Sequence, residues 1–470
     1  MTSEVSNAPR RVMGFRDLLL FYVVTGISLR WIATAATLGA SAITIWLFAW
    51  FAFYIPLVLT VMELSSRYPE EGGLYVWSKR AFGEFSGFTT GWTYWASNLP
   101  YFPAILYFAA ASALYIQPGR WSHLSGNKEY FLIFSLAGLA LATVLNVVGL
   151  QVGKWLHNLG ALGTWLPVGI LYAIGVTAWM KFGSATAFTL HTMRPNAHLQ
   201  DVLFVSTIVF ALAGSESASF LGDEVKDPRR NIPRALLLAG IIITTAYIVG
   251  TVCVLVALPR SEVSGLEGIM QAITRSALRV GWLGIGPLAA ILITVSNIGT
   301  VGAWLAVSAR IPFVAGMDRY IPAAFGRLHP RWGTPYVAIL MQAALSVLFI
   351  FLSQTGTSVG GAYDVLVSMC IISYFIPYLF TFAALIRLQR APAAPGVRRI
   401  PGGRPVATAL GVIGFTTSLL GIIASVFPTA DEPHKAMAVI KIVGLTAALL
   451  AAGQVLFVLG KRSAATERSG

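Results

Sequence analysis

Runs of apolar residues about as long as a bilayer is thick recur along the whole chain, separated by short segments where arginine, lysine, proline and glycine collect. A helix needs about 20 predominantly apolar residues to cross the hydrocarbon. Ala42 to Met62 and Ala235 to Leu258 meet that length without a single charge. The pattern predicts twelve spans, near residues 17–38, 42–63, 85–117, 130–150, 155–180, 202–222, 235–258, 282–309, 333–353, 364–386, 406–428 and 436–460. The third and eighth are long enough to tilt strongly or to continue past the membrane. The short alternating segments of a β-barrel do not occur. The predicted fold is an all-α polytopic membrane protein.

Composition agrees. Of 470 residues, 56% are hydrophobic and 11% charged, against roughly a quarter charged in soluble domains. This excludes a soluble multidomain enzyme, a disordered chain and a secreted disulfide scaffold. Cys253 and Cys370 both lie inside apolar runs and read as small buried hydrophobes. The net charge of +14 is a topology signal: with both termini cytoplasmic, about 23 of the 33 lysines and arginines fall on the cytoplasmic side. The loop after the tenth span alone carries Arg387, Arg390, Arg398, Arg399 and Arg404. No nucleic-acid motif accompanies the basic balance. Arg10, Arg11 and Arg16 lead into the first apolar run with no cleavage site before it. The expectation is a multi-pass protein of the plasma or inner membrane, without cofactor or metal, as a monomer or homodimer.

Two spans carry mid-membrane interruptions. The first contains Thr25-Gly26-Ile27-Ser28 and the sixth Ala213-Gly214-Ser215-Glu216-Ser217; the spans begin with Asp17 and Asp201. The interruptions lie five spans apart, so they occupy matching positions in two five-helix halves, and an odd count inserts those halves with opposite orientation. Such inverted repeats place half-helix ends around a midplane site, where free N–H groups attract an anion such as a substrate carboxylate. Glycines that merely allow close helix packing are the simpler reading of either break alone.

Only Arg30 and Glu216 are formally charged deep within the spans; Glu63 and Lys441 lie near span ends, where snorkelling is cheap. Arg30 follows Gly26 by four residues and Glu216 follows Gly214 by two, so the expectation is that both face one cavity. They would pair across the first and sixth helices, exchange that pairing for a substrate carboxylate and a coupling proton, or brace the helices as a fixed ion pair. His157, beside Asn158 in the fifth span, is a candidate proton relay or a packing residue.

Three loops add recognisable patterns. One runs Glu63-Leu64 through Pro69-Glu70-Glu71-Gly72-Gly73 to Tyr75 and Trp77. Another runs Asp223-Glu224 through Pro228-Arg229-Arg230-Asn231-Ile232-Pro233-Arg234-Ala235. The third runs Ala309-Arg310 to Asp318 and Pro322. Arg67, Glu224, Arg229 and Arg310 are candidates for a cytoplasmic gate. Taken together these residues resemble the amino acid–polyamine–organocation transporter superfamily, from about residue 14 to 460. The resemblance implies a first repeat over 17–180, a second over 201–386, two further helices over 406–460, and cytoplasmic segments at 1–16 and 461–470. It implies alternating access for amino acids, their decarboxylation products or polyamines, by proton symport or exchange.

By that resemblance Gly26, Ile27 and Ser28 hold the substrate carboxylate, and Ala213, Gly214 and Ser215 receive the amino group. Phe210 closes over substrate, Glu216 senses protons, and Asn98, Tyr94 and Tyr101 line the pocket. Two departures stand out. The usual Gly-Ser-Gly break is here Gly26-Ile27-Ser28-Leu29-Arg30, closer to glutamate/GABA-type members. The fifth-helix lysine of some proton-coupled members is missing; Thr164 or Trp165 stands there, with Lys154 at the helix start. Arg30 favours an anionic or zwitterionic substrate over a polyamine. A membrane-embedded enzyme is disfavoured because no metalloprotease, kinase or P-loop signature appears, and a channel because no charged ring or continuous polar stripe does.

Overall fold

The computed structural model describes residues 14–68, 70, 72–148, 150–195, 199–214, 216–217, 225–314, 317, 320–392, 397–429 and 432–469. In chain order its main helices are α1 (Phe15–Gly26), α2 (Leu29–Ala36), α3 (Ser41–Arg67), α4 (Gly73–Phe82), α5 (Glu84–Ile116), α6 (Lys128–Val148), α7 (Leu150–Phe182), α8 (Leu199–Ala211) and α9 (Pro228–Ala257). They continue as α10 (Gly268–Val280), α11 (Ile285–Ser308), α12 (Tyr336–Gln354), α13 (Val359–Leu388), α14 (Gly403–Ala424) and α15 (Lys435–Ser469). Ten of these hold a segment long and apolar enough to cross a membrane. The expected first and sixth spans are missing from that set because both are interrupted. α10 is a helix no apolar run announced: it buries Ile269, Met270, Ile273 and Ala277 along one face and exposes Arg275 and Arg279 on the other, the three-to-four-residue spacing of an amphipathic helix.

α1 packs along α9, while α7 and α5 pack against α11. The interior is rich in aromatics, with Trp46, Trp77, Trp95, Tyr247 and Tyr378 fully buried. Large apolar side chains such as Ile133, Leu141, Trp179, Leu288 and Ile440 face outward. In water so much exposed apolar surface would be a liability; around a bundle of spans it is the surface that meets lipid.

Polar contacts stitch each end of the bundle. At one end Glu63, fully buried, accepts from Arg67 Nε at 2.8 Å, Gln389 Nε2 at 2.5 Å and the Ile400 amide at 2.9 Å. At the other, Glu267 accepts from Tyr115 at 2.8 Å and Ser125 at 2.6 Å, and Glu432 accepts from the Ser358 hydroxyl at 2.6 Å at the start of α13. Lys441, expected to snorkel outward, is 9% exposed and donates to the Ser353 carbonyl at 2.8 Å.

Candidate functional site

The first interruption is two residues of extended backbone. Ile27 (φ −99°, ψ 124°) and Ser28 (φ −134°, ψ 124°) separate α1 from α2. Unwinding frees a carbonyl and an amide, and non-helical backbone at membrane depth survives only where protein or a cavity satisfies it. A single hydroxyl does so here. Tyr247 of α9 donates to the Gly26 carbonyl at 2.6 Å and accepts from the Ser28 amide at 3.2 Å. The Tyr247 ring is fixed by stacking on Trp46 (centroids 4.5 Å apart, interplanar angle 6°).

The second interruption follows α8. Gly214 has φ +107°, a conformation that costs any residue with a Cβ. Its amide donates to the Tyr378 hydroxyl at 3.2 Å, and Tyr378 in turn donates to Glu216 Oε2 at 2.7 Å. Tyr374, one turn earlier on α13, donates to Glu216 Oε1 at 2.7 Å. Glu216 is completely buried. Each break is thus held by a tyrosine from another helix, and the second passes the contact on to a carboxylate.

Between the breaks lies a cavity of about 100 Å³, room for several waters or a small solute. Gly26 and Ser28 line it from the first break, and Leu212, Ala213, Gly214 and Ser217 from the second. Ser97, Asn98 and Tyr101 of α5, Trp304 of α11, and Cys370 and Tyr374 of α13 complete much of the wall. Toward α2 and α8 the wall is aromatic: Phe210 meets Trp31 edge-to-face with centroids 5.4 Å apart, and meets Tyr374 the same way at 5.4 Å. The Asn98 amide nitrogen donates to the Tyr94 and Trp95 carbonyls, which leaves its oxygen as an acceptor for a ligand ammonium.

Of the expected site residues, Gly26, Ser28, Asn98, Phe210, Ala213 and Gly214 line this cavity, whereas Ile27 and Arg30 do not. Tyr101 is in the wall, and Tyr94 lies beyond it with its ring against Tyr374 at 5.1 Å. Arg30 is 1% exposed, with its guanidinium carbon 4.1 Å from the Trp31 ring centroid and 4.8 Å from that of Tyr101. The expected Arg30–Glu216 ion pair is absent among the described residues: two tyrosines occupy the carboxylate, and Arg30 Nε and Nη1 have no hydrogen-bond partner. Ser215, Glu224 and the side chains of His157 and Arg229 fall outside the described residues. Among the gate candidates, Arg67 binds Glu63 and the Ala391 carbonyl, and Arg310 is exposed. Tyr247, Tyr374 and Tyr378, which hold the two breaks and Glu216, are residues that hydropathy did not single out. The available signal was a tyrosine hydroxyl deep in an apolar run, which needs a partner when buried.

The amino acid permease family profile matches residues 14–448. An uncharacterized transporter of Legionella pneumophila is 30% identical over 463 residues, 96% of each chain. A probable agmatine/putrescine antiporter of Lactococcus lactis is 24% identical over 79% of this chain and 78% of its own. A serine/threonine exchanger of Bacillus subtilis is 27% identical over 73% of this chain and 75% of its own. With a match over nearly its whole length, this chain belongs to the amino acid permease family.

Proposed function

We propose that the protein is a secondary active transporter that carries amino acids or related small amines by alternating access. The observation that carries this reading is that both breaks, through Gly26 and Ser28 on one side and 212–214 on the other, line one cavity. Half-helix ends around a midplane site are the transporter solution for binding a small zwitterion. In this reading the α-carboxylate binds at Gly26 and Ser28, and the ammonium binds near Ala213, Ser215 and the Asn98 oxygen. Phe210 and Trp31 close the cavity toward one side of the membrane. Rocking of the two five-helix repeats, within a twelve-span fold, then reopens it on the other.

Proton coupling is part of the proposal. Glu216 is linked to the second break through Tyr378, so its protonation would alter how Tyr378 holds the Gly214 amide. His157 is a secondary relay candidate. Arg67, Glu224, Arg229 and Arg310 remain proposed gate residues on the cytoplasmic side, with both termini there and the plasma or inner membrane as the location. Exchange of polyamines, or of an amino acid against its decarboxylation product, is the alternative mode, and the probable agmatine/putrescine antiporter among the relatives supports exchange of amines.

The test is counterflow in proteoliposomes loaded with unlabelled amino acids, amines or polyamines. A carrier accumulates labelled substrate transiently and saturates. Leakage that neither saturates nor responds to internal substrate would reject the proposal in favour of a channel. An imposed pH gradient that drives uptake identifies the coupling ion.

A further inference from the structure

Arg30 presents a problem that the cavity described above does not solve. Buried polar atoms are nearly always hydrogen-bonded, yet Nε and Nη1 of this deeply buried guanidinium have no partner. The faces of Trp31 and Tyr101 stabilise the cation in part. The Tyr101 hydroxyl meets the guanidinium, but neither ring supplies an acceptor for Nε and Nη1, and a guanidinium's N–H groups are arranged to grip a carboxylate with two parallel bonds. Among the described residues no acid forms an ion pair with Arg30. Glu216 is held by Tyr374 and Tyr378, and Asp364 accepts from Thr429 at 2.8 Å.

The place of Arg30 suggests where its acceptor comes from. Trp31, Tyr101 and Cys370 all line the cavity, and the first two lie directly against the guanidinium. Arg30 is therefore one ring's thickness from the solute. It is also the second residue of α2, so its backbone lies ~3 Å along the axis beyond Ser28. A substrate held by its α-carboxylate at Gly26 and Ser28 would extend its side chain past Trp31 and Tyr101 toward this cation.

We infer that Arg30 is a second anion subsite, opened when Trp31 and Tyr101 move apart, and that it binds the side-chain carboxylate of an acidic amino acid. This rests on the transport reading above and narrows its substrate to dicarboxylic amino acids, with neutral ones using the outer cavity alone. A neutral isostere such as glutamine would fill the same volume but could not neutralise the guanidinium.

Glutamate and glutamine therefore provide the measurement. Their affinities are compared on the purified full-length protein by competition against a labelled neutral amino acid such as serine. The wild-type protein is expected to prefer glutamate by about 10- to 100-fold, the factor one charge-assisted hydrogen bond provides. In Arg30→Gln the ratio should fall toward one, and in Arg30→Lys it should be intermediate, because the charge remains but the fork is lost. A wild-type ratio near one overturns the inference even if no variant folds, and so does a preference that survives Arg30→Gln. Binding of serine and glutamine without glutamate preference rejects only the subsite; binding of no amino acid also overturns it, and the transport reading itself falls only if small amines and polyamines fail to bind as well.

Discussion

The hydroxyl of Tyr247 lies 2.6 Å from the Gly26 carbonyl oxygen and also receives the Ser28 amide, so one side chain closes the hydrogen-bond gap of the first broken helix. The residues are separated by more than two hundred positions in sequence, and the contact couples the break in α1–α2 to α9. Tyr247→Phe keeps the ring stacked on Trp46 and removes only the oxygen. It should destabilise the protein by about 1–3 kcal/mol for each backbone group orphaned, with a lowered midpoint of thermal unfolding and weaker substrate binding. An unchanged midpoint together with unchanged affinity would show that water replaces the hydroxyl at no cost.

Gly26 and Gly214 are required for different reasons, and paired substitutions separate them. A Cβ on Gly26 would lie 2.5 Å from Ile243 Cδ1, the flexible tip of a neighbouring side chain. Gly26→Ala should therefore impair transport, and adding Ile243→Val should largely restore it by removing the obstructing methyl. A Cβ on Gly214 meets nothing within 4 Å, but the residue has φ +107°. Gly214→Ala should cost about 1–3 kcal/mol through backbone strain alone, with no neighbouring truncation able to rescue it. Uptake rates of the two single variants and the double variant decide the matter.

Ten of the twelve expected spans, and both breaks, were legible because hydropathy and the Gly-Ile-Ser and Gly-Ser-Glu interruptions are local signals. The direction of Arg30 was not. Counting four residues from Gly26 assumes a continuous helix, but Ile27 and Ser28 are extended and reset the rotation at which α2 begins. Arg30 consequently lies against Trp31 and Tyr101 and makes no ion pair with Glu216. The partners that replaced the expected ion pair come from α5 and α13, and a single sequence gives no register between helices so far apart in the chain. Tyr374 and Tyr378 did offer a cue, since i, i+4 spacing places two hydroxyls on one face of an otherwise apolar span.

Glu216 receives two tyrosine hydroxyls, and one of those tyrosines also holds the Gly214 amide. Glu216→Gln preserves volume and one acceptor oxygen but removes the charge and the site for a proton. Counterflow should persist, because the cavity lining is unchanged, while the dependence of uptake on external pH flattens. Initial rates measured across a pH series in wild type and variant provide the check. A pH profile identical in the two proteins would remove Glu216 from the coupling mechanism.

Glu63 ties the end of α3 to the segment after α13 through Arg67, Gln389 and the Ile400 amide, while the Ser66 hydroxyl accepts from the Arg398 amide at 2.8 Å. Removing one partner of a buried ion pair typically costs 3–5 kcal/mol because the other is left uncompensated, roughly the effect expected of Glu63→Ala. The loss should be local as well as global. Arg398 and Arg399 sit on the segment that the carboxylate holds, so trypsin should cleave there faster in Glu63→Ala than in wild type. Glu63→Gln should fall between the two, because its carbonyl still accepts from Ile400 but no longer balances Arg67. Equal cleavage rates in all three proteins would mean that the segment is held by its backbone packing, and that α13 is free to move without breaking this contact.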